Sequence, residues 1–191
     1  EAGVRQLERL IASLCRKTVL AVLNDGRKSV TITNKLIVQW LGREKFDYGV
    51  KEKKNQIGCV TGLAYTSFGG DVLEIEVNYF KGQGHLILTG KLGDVMKESA
   101  SIAMDYVKAH AKELGIDPKF FSTHDIHIHV PEGAVPKDGP SAGVTLTTAI
   151  VSALTSTPVY ADLAMTGEVT LRGNVLPIGG LREKSLAANR A

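Results

Sequence analysis

Apolar residues recur every three or four positions along the first part of the chain, from Val4 to Val19. Residues with this spacing lie on one stripe of an α-helix, so the pattern predicts a helix over residues 3–23. The sequence Asn-Asp-Gly at positions 24–26 favours a turn and is expected to end this helix.

A second, shorter pair of elements is predicted after this turn. Residues 30–33 are β-like, and Asn34 is placed to cap a helix over 35–41 that Gly42 ends. Together the predicted elements make a small and mostly helical unit with little core of its own. We therefore expect it to be a part of something larger.

Runs typical of β-strands replace the helical pattern after residue 57. Residues 58–66 and 71–80 flank the sequence Ser-Phe-Gly-Gly, which predicts a β-hairpin. In the second run, apolar residues alternate with Glu74 and Glu76, so one face of the strand is expected to be buried and the other polar.

The rest of the chain is predicted to mix helices and strands. Its longest helix covers 94–114 and is followed by Gly115. In the strand over 126–130, His127 and His129 alternate with apolar residues. The other predicted elements are a strand over 85–89, a loop over 131–140, a helix over 141–155, strands over 163–171 and 175–178 joined by a turn at 172–174, and a helix that begins near Leu181.

This order of elements predicts an α+β protein in two parts. The charged run over 43–54 is interpreted as a solvated connector. We expect a small, mostly helical subdomain over 1–57 and a domain of mixed β-sheets and helices over 58–191. The last helix is still running at Ala191 without a stop signal, so we expect this second domain to be incomplete at its C-terminal end.

The composition excludes several classes of protein. With 191 residues, of which 43% are hydrophobic and 23% charged, the chain is neither disordered nor too small to build a core. No apolar run approaches the roughly 18 residues of a membrane span, and the first residues do not resemble a signal peptide. Cys15 and Cys59 match neither a disulfide framework nor a metal site. We therefore expect a cytoplasmic protein without membrane contact.

The small net charge of +3 hides a division along the chain. Residues 1–57 carry 12 lysines and arginines against six acidic residues, whereas residues 58–191 carry 11 against 14. A charged linker between two folded parts is the simpler explanation of the basic segment. A patch that binds nucleic acid is the alternative.

The sequence Pro-Lys-Asp-Gly-Pro-Ser-Ala-Gly, residues 136–143, is the first candidate for catalytic chemistry. Asp138 or Gly139 suits the N-cap of the following helix, and Pro140 suits its first turn. Ser141 then lies in that opening turn, where the helix dipole and free N–H groups favour negative charge on an alkoxide or an oxyanion. The small residues after it leave room for a substrate backbone. The alternative is an ordinary helix start.

A serine nucleophile needs a base, and histidine is the usual one. His127 and His129 could form a triad with Ser141 and either Asp125 or Asp138 if the loop folds back over their strand. The two histidines could also hold a metal ion, although no third ligand has a convincing spacing. Hydrogen bonding that supports the nearby loop is a simpler role for them.

Lysine is the other available base. A buried lysine loses several units of pKa and becomes a neutral amine near neutral pH. Lys184 lies one turn into a predicted helix among small and apolar neighbours, although spacing alone does not select it over a solvated lysine. Its surrounding sequence is not a phosphate-binding loop, because Glu183 stands where such a loop needs glycine.

Three long strings resemble a known family, the proteolytic domain of the bacterial Lon ATP-dependent proteases. They are LTGKLGDVMKESA at 88–100, HIHVPEGAVPKDGPSAG at 127–143 and TGEVTLRGNVLPIGGLREK at 166–184. The first 57 residues resemble the end of that family's ATPase module, its small helical subdomain. Within it, Arg5 resembles a nucleotide-sensing arginine.

The resemblance implies a serine endopeptidase with a Ser-Lys dyad, in which Ser141 is the nucleophile and Lys184 the general base. It implies that Thr166 orients the lysine and that Glu76 and Asp138 are acidic residues near the site. We interpret Asp138 as a latch on the loop rather than as a catalytic acid.

The resemblance also implies the wider setting of such a site. Members of the family degrade misfolded and regulatory proteins, contribute to protein quality control and the stress response, and assemble as hexamers. Binding to DNA is possible through other parts of the protein. Because no Walker A loop is present, we expect this chain to bind no cofactor itself, with ATP and Mg²⁺ held by an ATPase core outside it.

One alternative keeps the fold but not the activity. Lon-like domains of DNA-repair ATPases use the same fold as a scaffold for assembly or DNA contact. Ser141 and Lys184 are both present here, which argues against a scaffold, because a scaffold needs neither of them.

Overall fold

The computed structural model describes residues 4–26, 28–42, 54–66, 69–131 and 137–191. The chain divides into two compact units, Glu1–Asp47 and Tyr48–Ala191. The second unit therefore begins earlier than the predicted boundary between residues 57 and 58. Gln56 illustrates why, because it exchanges two backbone hydrogen bonds with Val159, at 2.8 and 3.3 Å. The predicted connector over 43–54 lies outside the described residues except for its last residue.

The first unit contains the two predicted helices, α1 (Arg5–Asp25) and α2 (Asn34–Leu41). The β-like segment at 30–33 is not a strand. Instead, the hydroxyl oxygen of Thr33 accepts a hydrogen bond from the Leu36 N–H at 3.3 Å. Thr33 rather than Asn34 is therefore the N-cap of α2, because its hydroxyl satisfies an N–H group of the first turn.

The second unit combines seven strands and four helices within the described residues. In chain order they are β1 (Cys59–Thr66), β2 (Gly69–Lys81), β3 (Leu86–Thr89), α3 (Asp94–Ala109), α4 (Phe120–Thr123), β4 (His124–His129), α5 (Gly143–Thr155), β5 (Ala164–Met165), β6 (Glu168–Val169), β7 (Val175–Leu176) and α6 (Leu181–Arg190). The α+β class and the mixture of sheets and helices are confirmed. No helix in the described part of the chain is long and apolar enough to cross a membrane.

Five of these strands form one mixed sheet in the order β3-β4-β2-β1-β5. The predicted hairpin is confirmed, since β1 and β2 pair antiparallel from Cys59 opposite Glu76 to Thr66 opposite Gly69. Strand β4 pairs antiparallel with β2, whereas β3 and β5 run parallel to their neighbours β4 and β1. The sheet therefore joins segments that are distant in sequence.

The hydrophobic core lies between one face of this sheet and the helices α3 and α5. Its fully buried side chains include Ile75, Ile128, Leu146 and Ile150. The alternation seen in the sequence holds in β4, where Ile126 and Ile128 are buried and the histidines between them lie on the other face.

Two predicted helices have different boundaries in the structure. Helix α3 ends at Ala109 rather than at residue 114, and the residues after it form turns up to Gly115, whose φ of 72° is left-handed. The helix predicted from residue 141 begins as a 3₁₀ turn over Pro140–Ala142, and α5 starts at Gly143.

The long strands predicted over 163–171 and 175–178 are broken into β5, β6 and β7. The break follows β5, because Gly167 leaves the sheet edge and donates its N–H to the carbonyl of Ser141 at 2.8 Å. After the break, β6 and β7 form a small antiparallel hairpin. Its turn contains the predicted Gly173, which has a φ of 79°.

Helix α6 packs closely against the β1–β2 hairpin, and Gly70 makes this contact possible. A Cβ at Gly70 would overlap the carbonyl oxygen of Glu183 and lie 2.9 Å from the N atom of Lys184. Both are backbone atoms, so they cannot move aside as a flexible side chain could. The position of Lys184 therefore depends on a residue without a side chain on β2.

We expect Gly70→Ala to lower the free energy of unfolding by about 1–3 kcal/mol, because the added methyl group overpacks a backbone contact. Thermal or urea unfolding measures the change. Gly179→Ala is the matched control, since a Cβ at Gly179 would meet nothing within 4 Å. It is expected to change stability by no more than about 0.5 kcal/mol. Equal stability of the two variants would contradict the close packing of α6 on β2.

Candidate active site

Ser141 lies in the 3₁₀ turn that precedes α5, and the chain after β5 holds this turn in place. The carbonyl of Ser141 accepts hydrogen bonds from the Gly167 N–H at 2.8 Å and from the Thr166 hydroxyl at 3.2 Å. In return, the Val144 N–H donates to the carbonyl of Gly167 at 3.0 Å. The backbone at Ser141 is thus fixed from both sides of the turn.

Lys184 reaches Ser141 from the first turns of α6. Its Nζ atom lies 2.9 Å from the Oγ of Ser141 and 3.0 Å from the Oγ1 of Thr166. The side chain is only 3% exposed. The structure therefore brings together the three residues that the sequence predicted as nucleophile, base and orienting hydroxyl.

Burial lowers the pKa of Lys184 below the ordinary lysine value, because desolvation disfavours the charged ammonium. Within the described residues, no carboxylate forms an ion pair with Lys184 to offset this cost. At a given pH, the neutral form of the amine is consequently more populated in Lys184 than in a lysine with the ordinary pKa.

Thr166 determines how the amine is oriented. The hydroxyl of Thr166 has one proton, which it donates to the carbonyl of Ser141, so its oxygen is left to accept from Lys184. A neutral amine has two N–H groups and one lone pair. When one N–H donates to Thr166, the lone pair can face the hydroxyl of Ser141.

The pair opens into a cavity of about 540 Å³. Much of its wall is apolar and comes from four different parts of the second unit, with side chains of Leu63, Leu73, Met96, Pro177 and Ile178. A cleft of this size can hold a few side chains of an extended peptide.

Asp138 lies in the same cavity wall, but it contacts neither Ser141 nor Lys184 through a hydrogen bond. Its Oδ1 accepts the N–H groups of Met96 and Gly139, both at 2.9 Å. Asp138 therefore caps α3, and of the two predicted N-caps of the helix that carries Ser141, the structure has Gly139. Its interpretation as a latch on the loop stays a prediction.

Gly143 also has a different role from the one expected. A Cβ at this position would lie 2.6 Å from the backbone N of Val169. The missing side chain therefore makes room for β6 rather than for a substrate backbone. The packing partner of Gly143 lies 26 residues away, which is why the local sequence did not reveal it.

His127 and His129 lie away from the Ser141 turn. Their ring nitrogens form hydrogen bonds with one atom, the Oγ1 of Thr89, at 2.8 and 2.7 Å. Asp125, the other proposed triad member, is bound to the N–H groups of Gln83 and His85, both at 2.8 Å. The alternative Ser-His-Asp triad is therefore not formed. Nor do three or more metal-binding side chains cluster anywhere in the described residues.

Glu76 accompanies the histidines rather than the lysine. It pairs with His129 across the sheet, and both line a separate open groove. Glu76 therefore lines a different groove from the one that Ser141 and Lys184 line, and its role beside the dyad stays a prediction.

Arg5, the suggested nucleotide sensor, is the first residue of α1 and is exposed. It belongs to the first unit, whereas Ser141, Thr166 and Lys184 all belong to the second. Its role stays a prediction.

Comparison with protein-family models matches both parts of the chain to one known family. Residues 31–191 match the model of the Lon protease (S16) C-terminal proteolytic domain. The chain belongs to the Lon protease family. Residues 1–30 match the Lon protease AAA+ ATPase lid domain, in agreement with the resemblance of the N-terminal helices to an ATPase subdomain.

Individual Lon proteases are similar over the whole chain. The Lon protease of Mycoplasma mycoides subsp. mycoides SC is 60% identical over 191 residues, which are 100% of this chain and 24% of that protein. Lon protease 1 of Bacillus subtilis is 59% identical, again over 100% of this chain and 25% of the relative. The chain thus spans about a quarter of the length of these curated relatives.

The first prediction from this site concerns pH. If neutral Lys184 activates Ser141, the rate of Ser141 modification rises with pH through one ionisation whose pKa lies below the ordinary lysine value of 10.5. The rate rises rather than falls with pH, because protonated Lys184 has no lone pair to accept the proton of Ser141. A fluorophosphonate added between pH 6 and 10 measures the rate. A midpoint near 6.5 that moves in His127→Gln would contradict the prediction and favour histidine.

Stability should follow the same ionisation. Because the folded-state pKa of Lys184 is lowered, the unfolded chain binds more protons between the two pKa values, so this residue's contribution to stability rises with pH in that window.

The second prediction concerns Thr166. Thr166→Val removes the hydroxyl that accepts from Lys184, so we expect modification of Ser141 to slow by roughly ten- to a hundredfold. Thr166→Ser keeps the hydroxyl and should recover most of the rate. If Thr166→Ser is as slow as Thr166→Val, packing of the methyl group rather than orientation of the amine is the role of Thr166.

Proposed function

We propose that this chain carries the serine peptidase site of a Lon protease and that it cleaves peptide bonds with a Ser141–Lys184 dyad. The observation that carries the proposal is the 2.9 Å approach of Lys184 Nζ to Ser141 Oγ inside a buried site. A buried contact between serine and lysine contributes little to stability, because burying the amine costs free energy. The contact is therefore better explained by chemistry than by a structural role. Membership of the family supports the same function.

The proposed reaction is acyl transfer. Neutral Lys184 takes the proton of Ser141, whose oxygen attacks the carbonyl carbon of a peptide bond. The resulting lysine ammonium then gives this proton to the leaving amine as the C–N bond breaks. In the second half of the reaction, neutral Lys184 takes a proton from water, and the water oxygen attacks the carbonyl carbon of the acyl-enzyme. The lysine ammonium then returns this proton to the Ser141 oxygen as the ester C–O bond breaks.

The backbone of the turn is suited to stabilise the negative oxygen of the tetrahedral intermediate. The N–H of Gly143 donates to the carbonyl of Pro140, and that of Val144 donates to Gly167. Pro140 has no N–H group. We therefore assign the N–H of Ser141 itself, in the first turn where a helix supplies no acceptor, as an oxyanion donor.

The wider activity of the protein is also a proposal. The match of residues 1–30 to an ATPase lid supports coupling of peptide cleavage to ATP, with ATP and Mg²⁺ bound by an AAA+ core. The substrates proposed are unfolded, misfolded and regulatory polypeptides, degraded by a cytoplasmic hexamer in protein quality control and the stress response. Binding to DNA by other parts of the protein is a further proposal.

Covalent trapping with a peptide boronate tests the dyad. We expect an adduct on Ser141 that disappears in Ser141→Ala and falls at least about a hundredfold in Lys184→Gln, because the base is lost. Mass spectrometry of the trapped peptide identifies the modified residue.

Two controls make the test specific. Lys108→Gln removes a lysine whose side chain is 43% exposed and is expected to leave trapping unchanged. His127→Gln is likewise expected to leave it unchanged. Loss of the adduct in His127→Gln, with full trapping in Lys184→Gln, would replace the proposed base by histidine.

A further inference from the structure

The turn between β3 and α3 holds the residues that directly precede Ser141. The N–H of Lys137 donates to the carbonyl of Lys91 at 3.2 Å, and the N–H of Gly93 donates to the carbonyl of Lys137 at 2.7 Å. Together these bonds fix the chain at residue 137 to the start of α3. Ser141 follows only four residues later.

Asp138 extends this attachment into the first turn of α3. Its Oδ1 accepts the N–H of Met96, which belongs to the group of N–H donors that a helix leaves unpaired at its start. The same oxygen accepts the N–H of Gly139, so the carboxylate ties its own backbone to the neighbouring helix. Only Gly139 and Pro140 separate it from Ser141, and a shift of Asp138 would reach the nucleophile.

Gly93 provides the space that the carboxylate of Asp138 occupies. A Cβ at Gly93 would overlap Cγ of Asp138 and lie 2.5 Å from Oδ2 and 2.7 Å from Cβ of that residue. The backbone of Gly93, with φ −72° and ψ 174°, is in a region open to any residue. Glycine is therefore required here by the position of Asp138 and not by the conformation of its own backbone.

We propose that Gly93 is a positioning residue for the nucleophile. Its missing side chain lets Asp138 cap α3, and this cap sets the position of the turn that carries Ser141. The inference rests on the proposed peptidase function for its effect on rate. Its structural part, the dependence of the Asp138 cap on Gly93, can be measured without catalysis.

Gly82 offers a matched control elsewhere in the same unit. A Cβ at Gly82 would overlap the carboxyl group of Asp125, which also accepts two backbone N–H groups. Asp125 belongs to β4, and its carboxyl group accepts from the connection between β2 and β3, at Gln83 and His85. Gly82→Ala thus disturbs an equivalent contact that is not part of the Ser141 turn.

The kinetic test measures inactivation of the full chain by a fluorophosphonate, separating the maximal rate from the half-saturating concentration. We expect Gly93→Ala to lower the maximal rate about tenfold or more, since small displacements of a reacting group are costly, with little change in half-saturation. Gly82→Ala is expected to stay within about twofold of the parent. A parent-like rate for Gly93→Ala, or an equal loss in Gly82→Ala, would overturn the proposal.

A double-mutant cycle tests whether Gly93 acts through Asp138. Asp138→Ala should slow inactivation by a factor similar to that of Gly93→Ala. Adding Gly93→Ala to Asp138→Ala should then slow it little further, because the carboxylate to be displaced is gone. If the double variant is slowed by the product of the two single-variant factors, the two residues act independently and the inference is overturned. If Gly93→Ala does not fold, Asp138→Ala carries the test alone, and a parent-like rate in it would overturn the proposal.

Hydrogen exchange separates this inference from the proposed function. The amide of Met96 should exchange faster in Gly93→Ala than in the parent or in Gly82→Ala, whether or not the chain reacts with the fluorophosphonate. Failure of the parent to react at Ser141 would reject the peptidase function, while exchange at Met96 still tests the cap. Unchanged exchange at Met96 in Gly93→Ala would overturn the inference.

Discussion

The contact between the amine of Lys184 and the hydroxyl of Ser141 is the interaction on which the rest of the site depends. Its partners lie 43 residues apart and belong to α6 and to the turn before α5. A separation of 2.9 Å leaves little tolerance, so both elements must be held rigidly. Much of the second unit can be understood as the means of holding them.

Each partner is held by contacts that cross the fold. The carbonyl of Ser141 is bound by Thr166 and Gly167, and the chain before it is tied to α3 through Asp138. Helix α6 rests on Gly70, where a side chain would not fit. Burial makes the amine costly to charge and therefore useful as a base, and the hydroxyl of Thr166 supplies one of the few polar contacts that it has. Burial of Lys184 therefore has two effects: it favours the neutral amine that can act as a base, and it costs free energy of folding.

The sequence was sufficient for most of the helices and strands and for Ser141, because these depend on local patterns. Alternation identified the buried face of β4, and the small-residue turn identified Ser141. Lys184 was selected only by resemblance to a family, since burial of a helical lysine is a property of the packed fold. Glu76 lines a groove other than that of Ser141 and Lys184, and a motif alone does not show which groove a side chain lines. The close contact between Gly93 and Asp138 was missed because the two residues lie 45 positions apart.

The protonation state of Lys184 is the most direct test of the proposed chemistry. Titration of the ¹³Cε resonances of labelled lysines by NMR can follow it, with the signal assigned by its absence in Lys184→Gln. We expect Lys184 to titrate distinctly below the ordinary lysine value of 10.5, because its side chain is buried. Titration together with the exposed lysines, or above them, would mean that the amine stays charged and that Lys184 does not act as the base.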